Sequence, residues 1–264
     1  MVVPRFREKA EGLPALVVGM SYLLSHLLIL RPKVFSPVED KDWIFWLAGG
    51  ASLVFGLFQP RALSLPSPWR VLVTFSLWLC FAAVSAFLLL RSSLGDPQRR
   101  VEASVGIALC ILWLIIAWAA FTGTERLVSY RLILANWLLH LIVTPPLLFL
   151  GAYASLSQAS AGLIASWLPS IGLLRLADHL AFPSHLSCLL FYLVVLCILS
   201  AYFFAYLPLP AALLVALALL SYPLVAWLSG FKTWEKVVWW GSVPLRLGFL
   251  IASLWIAWRA YSAG

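Results

Sequence analysis

Charge is what this sequence has least of. Lys, Arg, Asp and Glu together supply 11% of 264 residues, against about a quarter in ordinary soluble proteins, and they fall in short clusters between uncharged runs. With 63% of residues hydrophobic and a mean hydropathy of +0.99, a water-soluble globule is excluded, because its interior has no room for that much apolar surface. Cysteine is scarce too. Cys80, Cys110, Cys188 and Cys197 show no CxxC spacing and have no His beside them to complete a metal set, so they read as buried apolar residues and leave the redox compartment open. No long polar linker, low-complexity tract or soluble domain interrupts the chain. The 18 basic residues against 10 acidic ones do not signal nucleic acid, since they flank apolar runs, where Lys and Arg anchor helices.

What is present is uncharged length. The charge-free intervals are 12–30, 43–60, 71–90, 103–124, 132–174 and 179–231, followed by an apolar stretch from Val243 to Trp258 broken only by Arg246. A helix rising about 1.5 Å per residue needs roughly 20 apolar residues to cross a hydrocarbon core of about 30 Å. The expected fold class is therefore all-α: a polytopic transmembrane helix bundle of eight or nine spans in one membrane domain covering 1–264. The spans are expected near 13–30, 43–59, 71–90, 103–122, 132–154, 160–176, 187–206, 210–229 and 243–261. The sixth decides between eight and nine, because Ser160, Gly162, Ser166, Pro169, Ser170 and Gly172 weaken it. Orientation turns on the same segment, since removing it moves every later loop to the other side.

The first run follows Arg5, Arg7 and Lys9 but exceeds a signal-peptide core and ends without a small-residue cleavage pattern, so it is expected to be an uncleaved span. Trp43, Trp46, Trp69, Trp234, Trp239, Trp240, Trp255 and Trp258 cluster at span ends, the positions of an interfacial aromatic belt. A faint echo joins Phe121–Val128 to Phe231–Val238, each with a Glu and a basic residue between two spans. A duplication and an independently reached interfacial pair both explain it.

Two polar constellations stand out. Asn136, His140 and Thr144 recur at four-residue spacing and share one helical face, directly before Pro145 and Pro146, which remove the amides that would pair with the carbonyls of Leu141 and Ile142. One reading gives His140 a proton-shuttling or headgroup-binding role, as intramembrane ionisable groups suggest. The other is an interhelical hydrogen-bond seam, with Tyr22 and His26 as a matching pair in the first span. The second constellation is Arg175, Asp178, His179 and His185. There Asp178 orients an imidazole so that His179 or His185 serves as general base, or Arg175 and Asp178 simply pair at a helix end. No metal is expected, because the spacing matches no ligand motif, and nothing calls for a cofactor. Glu235, near Trp234, Trp239 and Trp240, is either an acid at a lipid-facing site or part of an interfacial anchor. Arg246, in the last span, either meets a phosphate headgroup or snorkels to the surface.

Phe182-Pro183-Ser184-His185 resembles the PSGH segment of type-2 phosphatidic acid phosphatases, with Ser229-Gly230 near the distance of that family's Ser-Arg pair. The glycine between Ser and His is absent, Gly230 replaces the arginine and Lys236 stands where the catalytic His belongs, so the activity does not follow. Thr144-Pro145-Pro146 and Ser221-Tyr222-Pro223 resemble fragments of microbial rhodopsin helices. Retinal needs a buried Lys, and Lys9, Lys33, Lys41, Lys232 and Lys236 all fall between spans.

The expectation is an integral membrane protein whose polar residues act on a lipid or isoprenoid substrate. His140, Asp178, His179 and His185 are its candidate catalytic groups, with Asn136, Thr144, Arg175, Glu235 and Arg246 binding substrate. A non-catalytic assembly subunit and a small transporter are the alternatives. The partners to expect are the lipid bilayer and, according to the reading, a lipophilic small molecule or another membrane protein.

Overall fold

The computed structural model describes residues 13–30, 42–58, 67–101, 103–108, 111–112, 115–116, 130–151, 156–158, 160–164, 184–228 and 235–263. Among them the chain is helical, with short turns and no strand. The main helices are α1 (Leu13–Leu30), α2 (Trp43–Leu53), α3 (Ser67–Gly95), α4 (Tyr130–Leu150), α5 (Ser184–Phe204), α6 (Leu209–Leu228) and α7 (Glu235–Ala263). A π-helical turn at Val54–Phe58 continues α2. Each overlaps one of the apolar runs, α3, α4 and α7 extending past it into charged residues. The sixth expected span is described only at 156–158 and 160–164, and whether it crosses lies outside the described residues.

Three stretches are long and apolar enough to cross a membrane: Pro68–Arg91, Leu186–Phe204 and Gly241–Ala263. Leu13–Ile29, Trp43–Phe58, Asn136–Leu150 and Leu209–Ser221 are shorter apolar helices.

The α5–α6 boundary shows how the sequence sets these lengths. Pro208 disfavours helical backbone at Leu207, and residues 206–208 are non-helical. Pro210 is tolerated because it sits in the first turn of α6, where an amide would have no intrahelical acceptor. The Tyr206 amide instead donates to the Gly151 carbonyl at 3.0 Å, and Ala212 to Pro208 at 3.1 Å.

Helix α5 is the axis of the bundle. Every described side chain from Leu186 to Ile198 is buried, and 83% of its apolar window is enclosed, against 28% for the windows in α3 and α7. A helix apolar all round has to be enclosed by others or by lipid, and here α1, α2, α4 and α6 all pack on it. Small residues permit close approach, as in membrane helix pairs: a Cβ on Gly19 would collide with the Ser52 side chain, and one on Gly56 would lie 2.6 Å from Leu16 Cγ. Phe55, Trp78, Phe81 and Tyr192 form an aromatic cluster with ring centroids 5.0–6.3 Å apart.

The outside is as apolar as the inside. Met20, Leu24 and Leu28 on α1, Leu72, Val84 and Phe87 on α3, and Ile251, Trp255 and Trp258 on α7 all face outward. Sixteen polar or charged residues, Arg246 and two histidines among them, face inward. In water this would be the wrong way round; contiguous apolar patches of that extent mark contact with lipid or protein. Cys80 departs from its expected burial because it lies on the outward face of α3, whereas Cys188 and Cys197 are buried.

Candidate functional site: a polar centre between three proline-bearing helices

Helix α7 packs along both α6 and α4, and where the three meet the interior turns polar. The arrangement starts from a missing hydrogen. Pro223 has no amide proton, so the carbonyl of Leu219, four residues earlier, loses its intrahelical donor. Arg246 reaches across from α7 and supplies one, its Nη2 donating to the Leu219 carbonyl at 3.3 Å. Its Nε donates to Ser221 Oγ at 3.1 Å, and the Ser221 hydroxyl donates in turn to the Ala218 carbonyl at 2.7 Å. Arg246 is thus 2% exposed and does not reach out to the protein surface: its donors are drawn to a helix whose backbone a proline has opened.

The stripe on α4 faces this guanidinium. Asn136, His140 and Thr144 are all buried, as their shared face requires. Thr144 Oγ1 donates to the His140 carbonyl at 2.7 Å, so its hydroxyl is satisfied on its own helix. The His140 imidazole lies close enough to Arg246 to feel its charge, with the carbonyls of Asn136 and Val215 alongside. Neither ring nitrogen completes a hydrogen bond. Ser242 Oγ, one turn before Arg246, is likewise buried without a partner. Buried polar atoms in that condition are uncommon in native interiors and call for an explanation.

The Tyr206–Gly151 hydrogen bond ties the ends of α4 and α5 together, and His140 lies eleven residues along α4 from Gly151, ~16 Å at the helical rise.

Of the pair expected to match the α4 stripe, Tyr22 meets Cys197, Oη to Sγ at 3.6 Å, so this thiol is more than an apolar filler. His26 packs its ring between Tyr22 and Phe45, at 5.7 and 6.0 Å, with the charge of Asp42 nearby.

No protein-family profile, curated protein or solved structure matches this chain.

The remaining expected site residues are not brought to this centre by anything the structure describes. Arg175, Asp178 and His179 lie outside the described residues. His185 and Glu235 occupy the first turns of α5 and α7, with only their backbone described. The segments of the 110-residue echo fall mostly outside as well. Among the described residues no group of three His, Cys, Asp or Glu is placed to hold a metal ion. Sequence reasoning missed Ser221 and the Leu219 carbonyl. The signal was Pro223, which opens α6 just as Pro145 and Pro146 open α4.

Chemically, the centre holds a buried guanidinium whose Nε and Nη2 are engaged by Ser221 and the Leu219 carbonyl and, beside it, an imidazole lying against the carbonyls of Asn136 and Val215, both shielded from water. Such a set can hold an anionic or strongly polarised oxygen at the guanidinium and move a proton at the imidazole.

Proposed function

We propose that the chain is a multi-pass integral membrane protein whose eight or nine spans enclose the His140–Arg246 centre, and that it acts there as a membrane-embedded enzyme on a lipid or isoprenoid substrate. The observation that carries this reading is the burial of Arg246 beside His140, two ionisable groups enclosed among apolar helices. Ionisable groups in hydrocarbon are expensive and mark working sites by default. In lipid the molecules at hand are lipophilic, and a polar group on one of them would meet the charge of Arg246 and a proton acceptor or donor at His140.

The test is a comparison of lipid extracts from cells with and without the protein, repeated with His140→Ala and Arg246→Gln. The enzymatic reading expects a lipid species that changes with the wild type and with the outward-facing Gly248→Ala variant, and that loses the change with both centre variants. Extracts identical in every case would sink it.

A transporter is the second reading, favoured by one observation: α4, α6 and α7 each carry proline where they meet the centre, and transporters place mid-membrane sites at interrupted helices. Unchanged lipids together with His140-dependent solute flux in proteoliposomes would select it.

A further inference from the structure

Helices α4 and α5 are tied at two levels. In the first half of α4, Trp137 Nε1 donates to Ser187 Oγ in the first turn of α5 at 3.2 Å; just past the other ends, the Tyr206 amide donates to the Gly151 carbonyl. The two helices therefore run in the same direction. Helix α6 turns back after the non-helical residues 206–208, since packed helices joined by so short a loop are antiparallel. Helix α7 turns back once more. Arg246 meets Ser221, which lies seven residues before Leu228, and is itself eleven residues after Glu235. Were α6 and α7 parallel, the link from Leu228 to Glu235 would have to bridge ~27 Å at the helical rise, beyond the ~25 Å that seven extended residues reach. Hence α4, α5 and α7 all begin at one end of the bundle.

Polarity is lopsided along that axis. Among its described side chains α7 buries a single stripe, Ser242, Arg246, Leu250, Ser253 and Ala257, at helical spacing. One turn from the centre toward the end where the helices begin stand Ser242 on α7 and Asn136 on α4, followed by the buried Trp137–Ser187 pair. In the other direction Thr144 and Ser253 close their hydroxyls on their own helices, and Leu147, Leu250 and Ala257 are hydrocarbon. The polar interior thus continues from the centre toward one end only.

Ser242 is the exception that gives this lane a use. Ser52, Thr74, Ser85, Ser200 and Ser253 are buried, and each donates to a carbonyl three or four residues earlier in its own helix. Ser242 Oγ is fully enclosed and bonds to no protein atom. Leaving a buried hydroxyl unsatisfied costs its desolvation energy, and interiors meet such a need with bound water, which requires two to four polar neighbours. Ser242 has them in register: Arg246 one turn along its own helix, and Asn136 and His140 at the matching levels of α4.

We infer that the Ser242 hydroxyl binds water between α7 and α4, and that through this water His140 exchanges protons with the side of the membrane at which α4, α5 and α7 begin. The inference rests on the reading of His140 and Arg246 as a working centre in lipid and holds for an enzyme and a transporter alike.

The experiment is deuterium uptake at the Cε1 carbon of His140, read by mass spectrometry on the full chain in lipid nanodiscs held in D2O, because that carbon exchanges only where water reaches the imidazole. The wild type is expected to take up deuterium. Ser242→Val should slow uptake about tenfold, the equivalent of one lost hydrogen bond, whereas Ser242→Thr, of the same shape with the hydroxyl kept, should match the wild type. Ser253→Val, on the same stripe beyond the centre, should leave the rate unchanged. Should Ser242→Val fail to fold, Ser242→Ala removes the hydroxyl in a smaller side chain and is expected to slow uptake likewise. No uptake in the wild type, equal rates for the Val and Thr variants, or equal slowing by Ser253→Val each overturns the assignment. Sided labelling in sealed vesicles with an impermeant maleimide, read above the wild-type background, checks the direction: Ser184→Cys and Glu235→Cys should react from one face and Tyr206→Cys from the other, and reaction of Ser184→Cys and Tyr206→Cys from the same face would overturn it. Unchanged lipid extracts would remove the enzymatic reading and leave the exchange at His140 standing, whereas release of the chain from vesicles by alkaline carbonate would overturn the membrane reading itself.

Discussion

At the residue scale, two hydroxyls that look alike in the sequence have opposite weight. Ser221 accepts from a buried guanidinium, and hydrogen bonds to charged groups contribute about 1.5–3 kcal/mol. Ser221→Ala should lower stability by that amount in a detergent unfolding titration. Thr144 bonds only to the carbonyl of its own helix, so Thr144→Val should cost no more than ~0.6 kcal/mol, the average for a polar contact between membrane helices. Equal losses would show that Arg246 does not depend on Ser221. The sequence made the α4 stripe legible, because four-residue spacing alone places Asn136, His140 and Thr144 on one face, and all three are buried. It did not make Arg246 legible. Where a long side chain goes depends on which neighbouring helix has an open carbonyl, and the proline that opens Leu219 sits on a different element, more than twenty residues away.

At the element scale, uncharged length made the all-helical class legible, while the number of crossing helices it predicted is met by only three stretches long and apolar enough among the described residues. The α5–α6 break follows from two prolines in one dipeptide repeat, and α1 coincides with the run expected at 13–30. Helix partners were not legible, since two outward-looking leucines and two inward-looking ones read the same in an all-apolar segment. Glycine supplies the distinction only after the packing is known. Gly19 lies where α1 meets Ser52 with no room for a side chain, so Gly19→Leu should force the helices apart and cost about 1–3 kcal/mol, the usual penalty of overpacking. Gly248 has nothing within 4 Å of a built Cβ, and Gly248→Ala should stabilise by about 0.4–1 kcal/mol through the unfolded chain. A detergent unfolding series that ranks the two in the opposite order would mean that the α1–α2 contact is not as described.

At the scale of the whole molecule, the informative quantity is the inversion of polarity from surface to centre. The three crossing-length helices differ sharply in enclosure: α5 is largely wrapped by protein, whereas α3 and α7 expose a broad apolar face. If lipid is the solvent, that outer face is where a charge does most harm. Val84, 51% exposed, lies in the α3 crossing stretch, so Val84→Arg should cost about 2.5–3.5 kcal/mol in a glycosylation-reported insertion assay, the translocon figure for a mid-helix Arg. An exposed residue in a water-solvated fold would tolerate the same change within about 0.5 kcal/mol. The prediction separates the two solvents at a site away from the polar centre, and insertion of Val84→Arg as efficiently as wild type would remove the ground on which the reading of that centre rests.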